Sequence, residues 1–269
     1  MNRSRIFYII GGVLLIAAPL ILAIFLNNPS NQPDSGNGGN GNGNGDGGNG
    51  NQNNQSTQEI YWGVDSASYT TQDLYKCVKN NYGKPKVWGR YLGTKGDVSK
   101  GLDKEEVQLL HENNVRILVI YNHFTDATGY DHGVKEAEQA IEYAKELGIP
   151  DGVAIFGDIE PSFPVTSAFM EGWYDALSSS SYKPGIYGVF DEGSSIMKAY
   201  NAMSKNAQKN TIVWSAFPQN EITTKENAPK YNPNGPKNAK LYGWQYAIEA
   251  EQCNIDNNLF RNEMLDYLW

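Results

Sequence analysis

Between residues 58 and 269 the chain switches repeatedly between two hydrophobic rhythms. Short apolar runs read as buried strands: "EIYWGV" (59–64), "KVWGRYL" (86–92), "VRILVIY" (115–121), "GVAIFGDIE" (152–160), "KPGIYGVF" (183–190), "TIVWSAF" (211–217) and "AKLYGWQYA" (239–247). Segments with apolar residues at helical spacing separate most of them. Helices are predicted over 71–80, over "DKEEVQLLHENN" with Asp103 as its cap, over "HGVKEAEQAIEYAKELGIP" ended by Gly148 and Pro150, over 166–177 and over 191–204. A Pro/Asn/Lys-rich loop covers 219–238. A last short strand is expected around Cys253 to Asp256, with a final helix to about Tyr267.

Continuous apolar strands alternating with helices predict parallel strands covered on both faces. About eight such units predict an α/β fold closed as a (β/α)8 TIM-like barrel. No Gly-rich phosphate loop follows the first strand, which argues against a dinucleotide-binding fold.

The first 57 residues follow neither rhythm. Residues 6–26, "IFYIIGGVLLIAAPLILAIFL", are uncharged and would span about 30 Å as a helix, one bilayer core. Arg3 and Arg5 precede them, which favours a cytoplasmic N-terminus and an external remainder. The segment therefore reads as a transmembrane anchor, with a cleaved signal peptide as the competing reading. Residues 27–57, dominated by "SGNGGNGNGNGDGGNGNQNNQ", offer almost nothing to bury and read as a disordered Asn/Gly-rich linker. Three regions result: a stub and anchor (1–26), a linker (27–57) and one globular domain (58–269). The expected location is the cell membrane, single-pass with the barrel outside, or secreted if the segment is cleaved.

The formal charge is -8, and Arg3 and Arg5 cancel Asp34 and Asp46, so the acidity belongs to the domain. Without a Lys/Arg cluster, nucleic acid is not an expected partner. Cys77 and Cys253 match no metal spacing. Outside the cytoplasm they would form a disulfide stapling the two ends of the domain; otherwise they are two buried thiols.

Barrel active sites form at the C-terminal ends of strands. There the sequence places Asp65, Arg90, Asn122 with His123, Asp158 with Glu160, Tyr187, Trp214, Gln245 and Asp256. Asp158 and Glu160 are two apart in a strand and share a face. Like charges in a partly apolar site push one pKa up, so one carboxyl serves as acid while its neighbour stays ionised. The bland reading of such a pair is a solvated or ion-paired one, with Arg90 as the counterion. Asp65 is alternatively a helix cap, and the aromatics are alternatively core. Three histidines without partners at ligand spacing suggest no metal.

"GVDSASY", "FGDIEPS" and "YGWQYAIEAEQCNIDNNLF" resemble glycoside hydrolase family 25, which contains lysozyme-like muramidases on a modified barrel. "WGRYLG", "GLDKEEVQLLHENNVRILVIYNHF" and "HGVKEAEQAIEYAKELGIP" are similar to a related glycoside-hydrolase-like domain of unknown function in exported bacterial proteins. The resemblance implies a glycosidase of cell-wall polysaccharide that needs no cofactor. Its catalytic residues would be Glu160 as acid with Asp158 and Asp65; Asp256, Gln245, Arg90, Tyr187, Trp214 and Asn122 would contact substrate. Asp65 is followed by Ser-Ala-Ser where the muramidases continue Val-Ser. A non-catalytic glycan-binding or scaffolding module of the envelope is therefore the alternative.

Overall fold

The structure is a computed structural model that describes residues 59–269. The predicted anchor and linker lie outside the described residues. Among the described residues no helix is long and apolar enough to cross a membrane.

Eight strands close into a barrel in chain order. They are β1 (Ile60–Asp65), β2 (Val87–Tyr91), β3 (Arg116–Tyr121), β4 (Ala154–Ile159), β5 (Lys183–Gly188), β6 (Ile212–Ala216), β7 (Lys240–Ala247) and β8 (Asp256–Arg261). Neighbours from β1 through β7 pair in parallel, as the apolar runs predict. The eighth strand does not follow the repeat. It runs antiparallel to both β7 and β1. The segment between Ala247 and Asp256 is shorter than the dozen or so residues a parallel crossover needs, so the chain turns straight back. The strand expected around Cys253 to Asp256 accordingly begins, rather than ends, at Asp256.

Helices follow β1 to β5: α1 (Gln72–Asn81), α2 (Lys104–Glu112), α3 (Tyr130–Leu147), α4 (Ser167–Ser178), and the pair α5 (Ser195–Asn201) and α6 (Lys205–Asn210). Asp103 caps α2 as predicted, accepting from the Glu106 N–H, and Thr71 caps α1, accepting from the Leu74 N–H. Gly148 stops α3 at φ 83°. The single helix expected over 191–204 is split because Ser204 caps a second one, accepting from Ala207 N. Helices α3 and α4 cross with backbones nearly touching. A Cβ on Gly172 would lie 2.1 Å from the Tyr130 carbonyl, and one on Gly133 2.1 Å from that of Phe169.

Two apolar layers result. The outer one lies between strands and helices and includes Trp88, Val119, Ile155 and Trp173. The inner one fills the barrel with Val87, Leu118, Ile120, Phe156, Ile212, Trp214 and Phe260. The expected final helix is a 3-10 turn, Asn262–Tyr267, and its Met264 together with Leu268 joins the inner layer. Trp269 then exchanges two backbone hydrogen bonds with Ile117. Cys77 on α1 and Cys253 before β8 form a disulfide, which settles the alternative left open by the sequence.

Candidate active site

Alternation along each strand decides which strand-end residues face the barrel axis. Asp65 closes β1 in register with Gly89 on one side and Asp256 on the other. Gly89 has to be small: a Cβ there would sit 2.7 Å from that of Asp65. Asp256 reaches the same end because β8 runs backwards, so its first residue lies at the mouth. Asp158 pairs with Tyr187, Tyr187 with Trp214, and Gln245 with Asn258. Glu160 follows β4 directly.

A polar belt fixes the acidic groups. The Trp214 indole N–H, which can only donate, meets Asn258 Oδ1 at 2.8 Å. That orients the amide, and its Nδ2 donates to Asp65 Oδ2 at 2.6 Å. Tyr187 donates its hydroxyl to Gln245 Oε1 at 2.8 Å. The Gln245 amide nitrogen is thereby turned toward Asp65 Oδ2 (3.0 Å) and Asp256 Oδ2 (3.2 Å), bridging the two carboxylates. The other Asp256 oxygen accepts from the Glu249 backbone at 2.7 Å.

Four carboxyls thus crowd one mouth, and all four hold protons more tightly than usual. Burial is the largest cause for each. For Asp158 the charge of Glu160 adds to it, and its pKa lies well above the ordinary carboxyl range; Lys95 opposes the rise. Asp256 is also pushed well up, next by the charge of Asp65. The hydrogen bonds from Gln245 and Asn258, and then Arg90, restrain the rise at Asp65. At Glu160 the hydrogen bond with Asp158 and the charge of Lys95 do the same. Within the Asp158–Glu160 pair the proton therefore sits more firmly on Asp158, the reverse of the simple division in which Glu160 keeps it. Asp158 is 4% exposed and its Oδ1 has no hydrogen-bond partner, whereas Glu160 is half-buried and open to the mouth.

Three residues expected to touch substrate are placed differently. Arg90 lies one residue out of phase with the mouth-facing Tyr91 and turns into the helical layer. It is wholly buried, ion-paired to Glu106 at 2.5 Å, and donates to the Ser66 and Lys100 carbonyls at 2.5 and 2.8 Å. It is neither a substrate contact nor the counterion of Asp158 or Glu160. Trp214 is 1% exposed, covered by Tyr187 with ring centroids 4.3 Å apart, so it forms the floor of the site rather than a sugar platform. Asn122 is buried and donates to Ser99 Oγ at 3.1 Å, anchoring the loop after β2. Asp65 caps no helix; Thr71 does that.

Three residues of the mouth escape the strand-end reading. Tyr91 feels the charge of all four carboxyls, and burial pushes its hydroxyl pKa well up. Lys95 hands its ammonium to the carbonyls of Asn122 (2.5 Å) and Phe124 (3.1 Å) at the end of β3. Asn258 is the third. Its signal was the two-residue spacing from Asp256; that of Tyr91 was its two-residue spacing from Gly89. Among the described residues, no group of three or more His, Cys, Asp or Glu is arranged to hold a metal ion.

The model of the Rv2525c-like glycoside hydrolase-like domain family matches residues 81–260. The chain is similar to an uncharacterized protein of B. stearothermophilus known from a crystal structure. The two are 37% identical with a TM-score of 0.76 over 78% of this chain and 100% of that one. The modular autolysin LytC of Streptococcus pneumoniae shares the fold at 15% identity and TM-score 0.50, over 75% of this chain and 46% of that one. The Tat-secreted protein Rv2525c of Mycobacterium tuberculosis matches at 15% identity and TM-score 0.49, over 74% and 94%. No curated protein sequence matches. A family model that spans most of the barrel, and a relative covered from end to end, place the chain in the Rv2525c-like family of glycoside hydrolase-like domains.

Proposed function

We propose that this chain is a membrane-anchored, extracytoplasmic glycoside hydrolase that cuts cell-wall glycan, with Glu160 as its general acid. The observation that carries this reading is the state of Glu160. It is half-buried at the mouth and beside a second, deeper carboxyl, and its pKa is raised; the nearby arginine is engaged elsewhere. A binding module gains nothing from such a carboxyl, whereas an acid catalyst needs one that faces the substrate with its pKa raised; the firmer proton on the buried Asp158 is hydrogen-bonded to Glu160 and reaches the mouth only through it.

In the proposed step Glu160 gives its proton to the glycosidic oxygen as the bond to the anomeric carbon breaks. The leaving sugar departs with a new hydroxyl. Water completes the anomeric carbon and returns a proton to the carboxylate pair. Asp65, whose rise in pKa is restrained by the Gln245 and Asn258 amides, offsets the positive charge that develops on the sugar ring, with Asp256 beside it and Asp158 beneath Glu160. Asn258 and Gln245 hold those carboxyls in place, and Tyr91 and Tyr187 line the walls.

Two further points support the reading. LytC is described as an autolysin and has been crystallised with a synthetic peptidoglycan ligand, which suggests the substrate class. The Cys77–Cys253 bond suits an oxidising compartment, in keeping with the anchor read at residues 6–26.

The test is incubation of the full chain with purified peptidoglycan and chitin-type oligosaccharides, beside Glu160→Gln, with new reducing ends assayed by mass spectrometry. New ends from the wild type alone support the proposal, and the product termini name the bond. Retained glycan binding without new ends from either protein would overturn it in favour of the non-catalytic module.

A further inference from the structure

The acidic mouth is built from two halves. Asp158 and Glu160 stand on the rigid β4 segment. Asp256 stands at the exit of the β7–β8 loop, residues 248–255, and that loop is an unusual piece of backbone. Glu249, Cys253 and Asn254 lie at φ 62°, 71° and 44°, in the left-handed region that L-residues avoid. Asn254 tolerates that region, but Glu249 and Cys253 do not, so local preference alone does not hold the loop in this form.

Ala250 N donates to the Ile255 carbonyl at 3.0 Å and both side chains are buried, and contacts with one neighbouring region hold the strained residues between them. Ser66 Oγ donates to the Asn254 carbonyl (2.7 Å), and Asn254 Nδ2 donates to Ser68 Oγ (2.8 Å). Tyr82 donates its hydroxyl to the Gln252 carbonyl at 3.3 Å. Most of these bonds are exposed and individually weak. The strong link is covalent, from Cys253 to Cys77 on α1. The same loop supplies the Glu249 N–H to Asp256 Oδ1, while Asp256 Oδ2 accepts from Gln245.

We propose that the Cys77–Cys253 disulfide is a positioning element of the active site. It holds the β7–β8 loop in the shape that delivers Asp256 to Gln245 and Asp65, so the carboxyl cluster is complete only when both thiols are oxidised. The barrel does not need it: the closed strand ladder and the inner apolar layer are independent of this loop. Reduction by a dithiol transfers two electrons and two protons to Cys77 and Cys253, and the dithiol becomes a cyclic disulfide. The loop then relaxes, Asp256 loses the Glu249 N–H, and the mouth loses its second half. The consequence, which rests on the glycosidase reading, is an enzyme that stays incomplete in a reducing cytoplasm and matures after export.

The experiment compares the full chain before and after dithiothreitol treatment that frees two thiols per chain. Hydrogen exchange reads the loop against β3 and β4, and release of reducing ends from peptidoglycan reads the site. The expected result is at least about tenfold faster exchange over residues 248–256 with β3 and β4 unchanged. kcat should fall about tenfold with KM little changed, and reoxidation should restore it. Unchanged loop exchange with both thiols free would overturn the proposal. So would equal loss of protection in loop and barrel, which would make the bond merely a fold staple. A variant pair keeps the test decisive if reduced protein is unstable. Cys77→Ser with Cys253→Gly should protect the loop better than Cys77→Ser with Cys253→Ser, because glycine accepts φ 71° freely; equal exchange in the two would count against the proposal. If the oxidised chain releases no reducing ends at all, the glycosidase reading fails, while the exchange data still decide the role of the disulfide.

Discussion

Replacing Arg90 with Met should destabilise the barrel strongly without acting as a substrate-contact mutation. Arg90 and Glu106 are both 0% exposed. Arg90 donates twice to Glu106, at 2.5 and 3.2 Å, and once each to the Ser66 and Lys100 carbonyls. Met fills similar space but offers none of these donors, so Glu106 is left charged in the interior with the Thr70 N–H as its remaining donor. Breaking one side of such a pair costs about 3–5 kcal/mol. A domain of this size loses roughly 2–4 °C of Tm per kcal/mol, so the fall should be on the order of 10 °C. Urea unfolding of Arg90→Met, Glu106→Leu and the double variant measures it. The double should be less unstable than the sum of the singles by roughly 2 kcal/mol, because its second change removes the stranded charge. Wild-type stability for Arg90→Met with a raised KM would refute this account and return Arg90 to the mouth. Strict additivity of the two changes would refute the coupling.

Further predictions follow from the same geometry. Asp158 and Asp256 bind protons more tightly folded than unfolded, so the folded state carries the extra protons and stability must fall as pH rises from about 4 through their folded pKa values. Thermal melts should show a higher Tm near pH 5 than near pH 8, and Asp158→Asn should flatten that slope; each tenfold of excess proton affinity is about 1.4 kcal/mol. Hydrolysis, which needs Glu160 protonated, should likewise fade as pH rises through its raised pKa. Gly172→Ala forces a methyl against the Tyr130 carbonyl and should cost about 1–3 kcal/mol in urea unfolding, with substrate affinity unchanged. Trp214→Phe removes the donor that orients Asn258, so kcat should fall with a smaller loss of stability, about 1 kcal/mol; an unchanged kcat would mean that Asn258 keeps its orientation unaided.

The sequence and the structure agree where one physical rule suffices. The two-residue spacing of Asp158 and Glu160 turns both to the inner face through strand alternation, and the cap at Asp103 acts locally. Disagreement begins where phase matters. Arg90 and Tyr91 both stand at the end of β2, and proximity to the strand end does not choose between them. Trp88 buried in the outer layer shows that Arg90, two residues on, must follow it outward. Asp256 was legible as a mouth residue but for the wrong reason. The sequence pattern puts it at the end of a strand, whereas the short link from Ala247 reverses the strand and exposes its beginning. Asn258 was missed for the same cause, since a strand thought to stop at Asp256 has no inner face two residues later. The preference for the proton within the carboxyl pair depends on depth, which no sequence pattern encodes.

The reversal of β8 also brings the last strand's end beside the first strand's beginning. Ile60 and Arg261 are partners at the foot of the barrel, and Asn262 N donates to the Glu59 carbonyl there. Asp65 and Asp256 are partners at the rim. The six residues of β1 run from foot to rim, about 17 Å. The chain that precedes Glu59 therefore joins the domain at the pole opposite its acidic opening. Under the proposed function, an anchor preceding Glu59 would leave the opening free to meet a long polymer, with no need for the polymer to pass around the point of attachment.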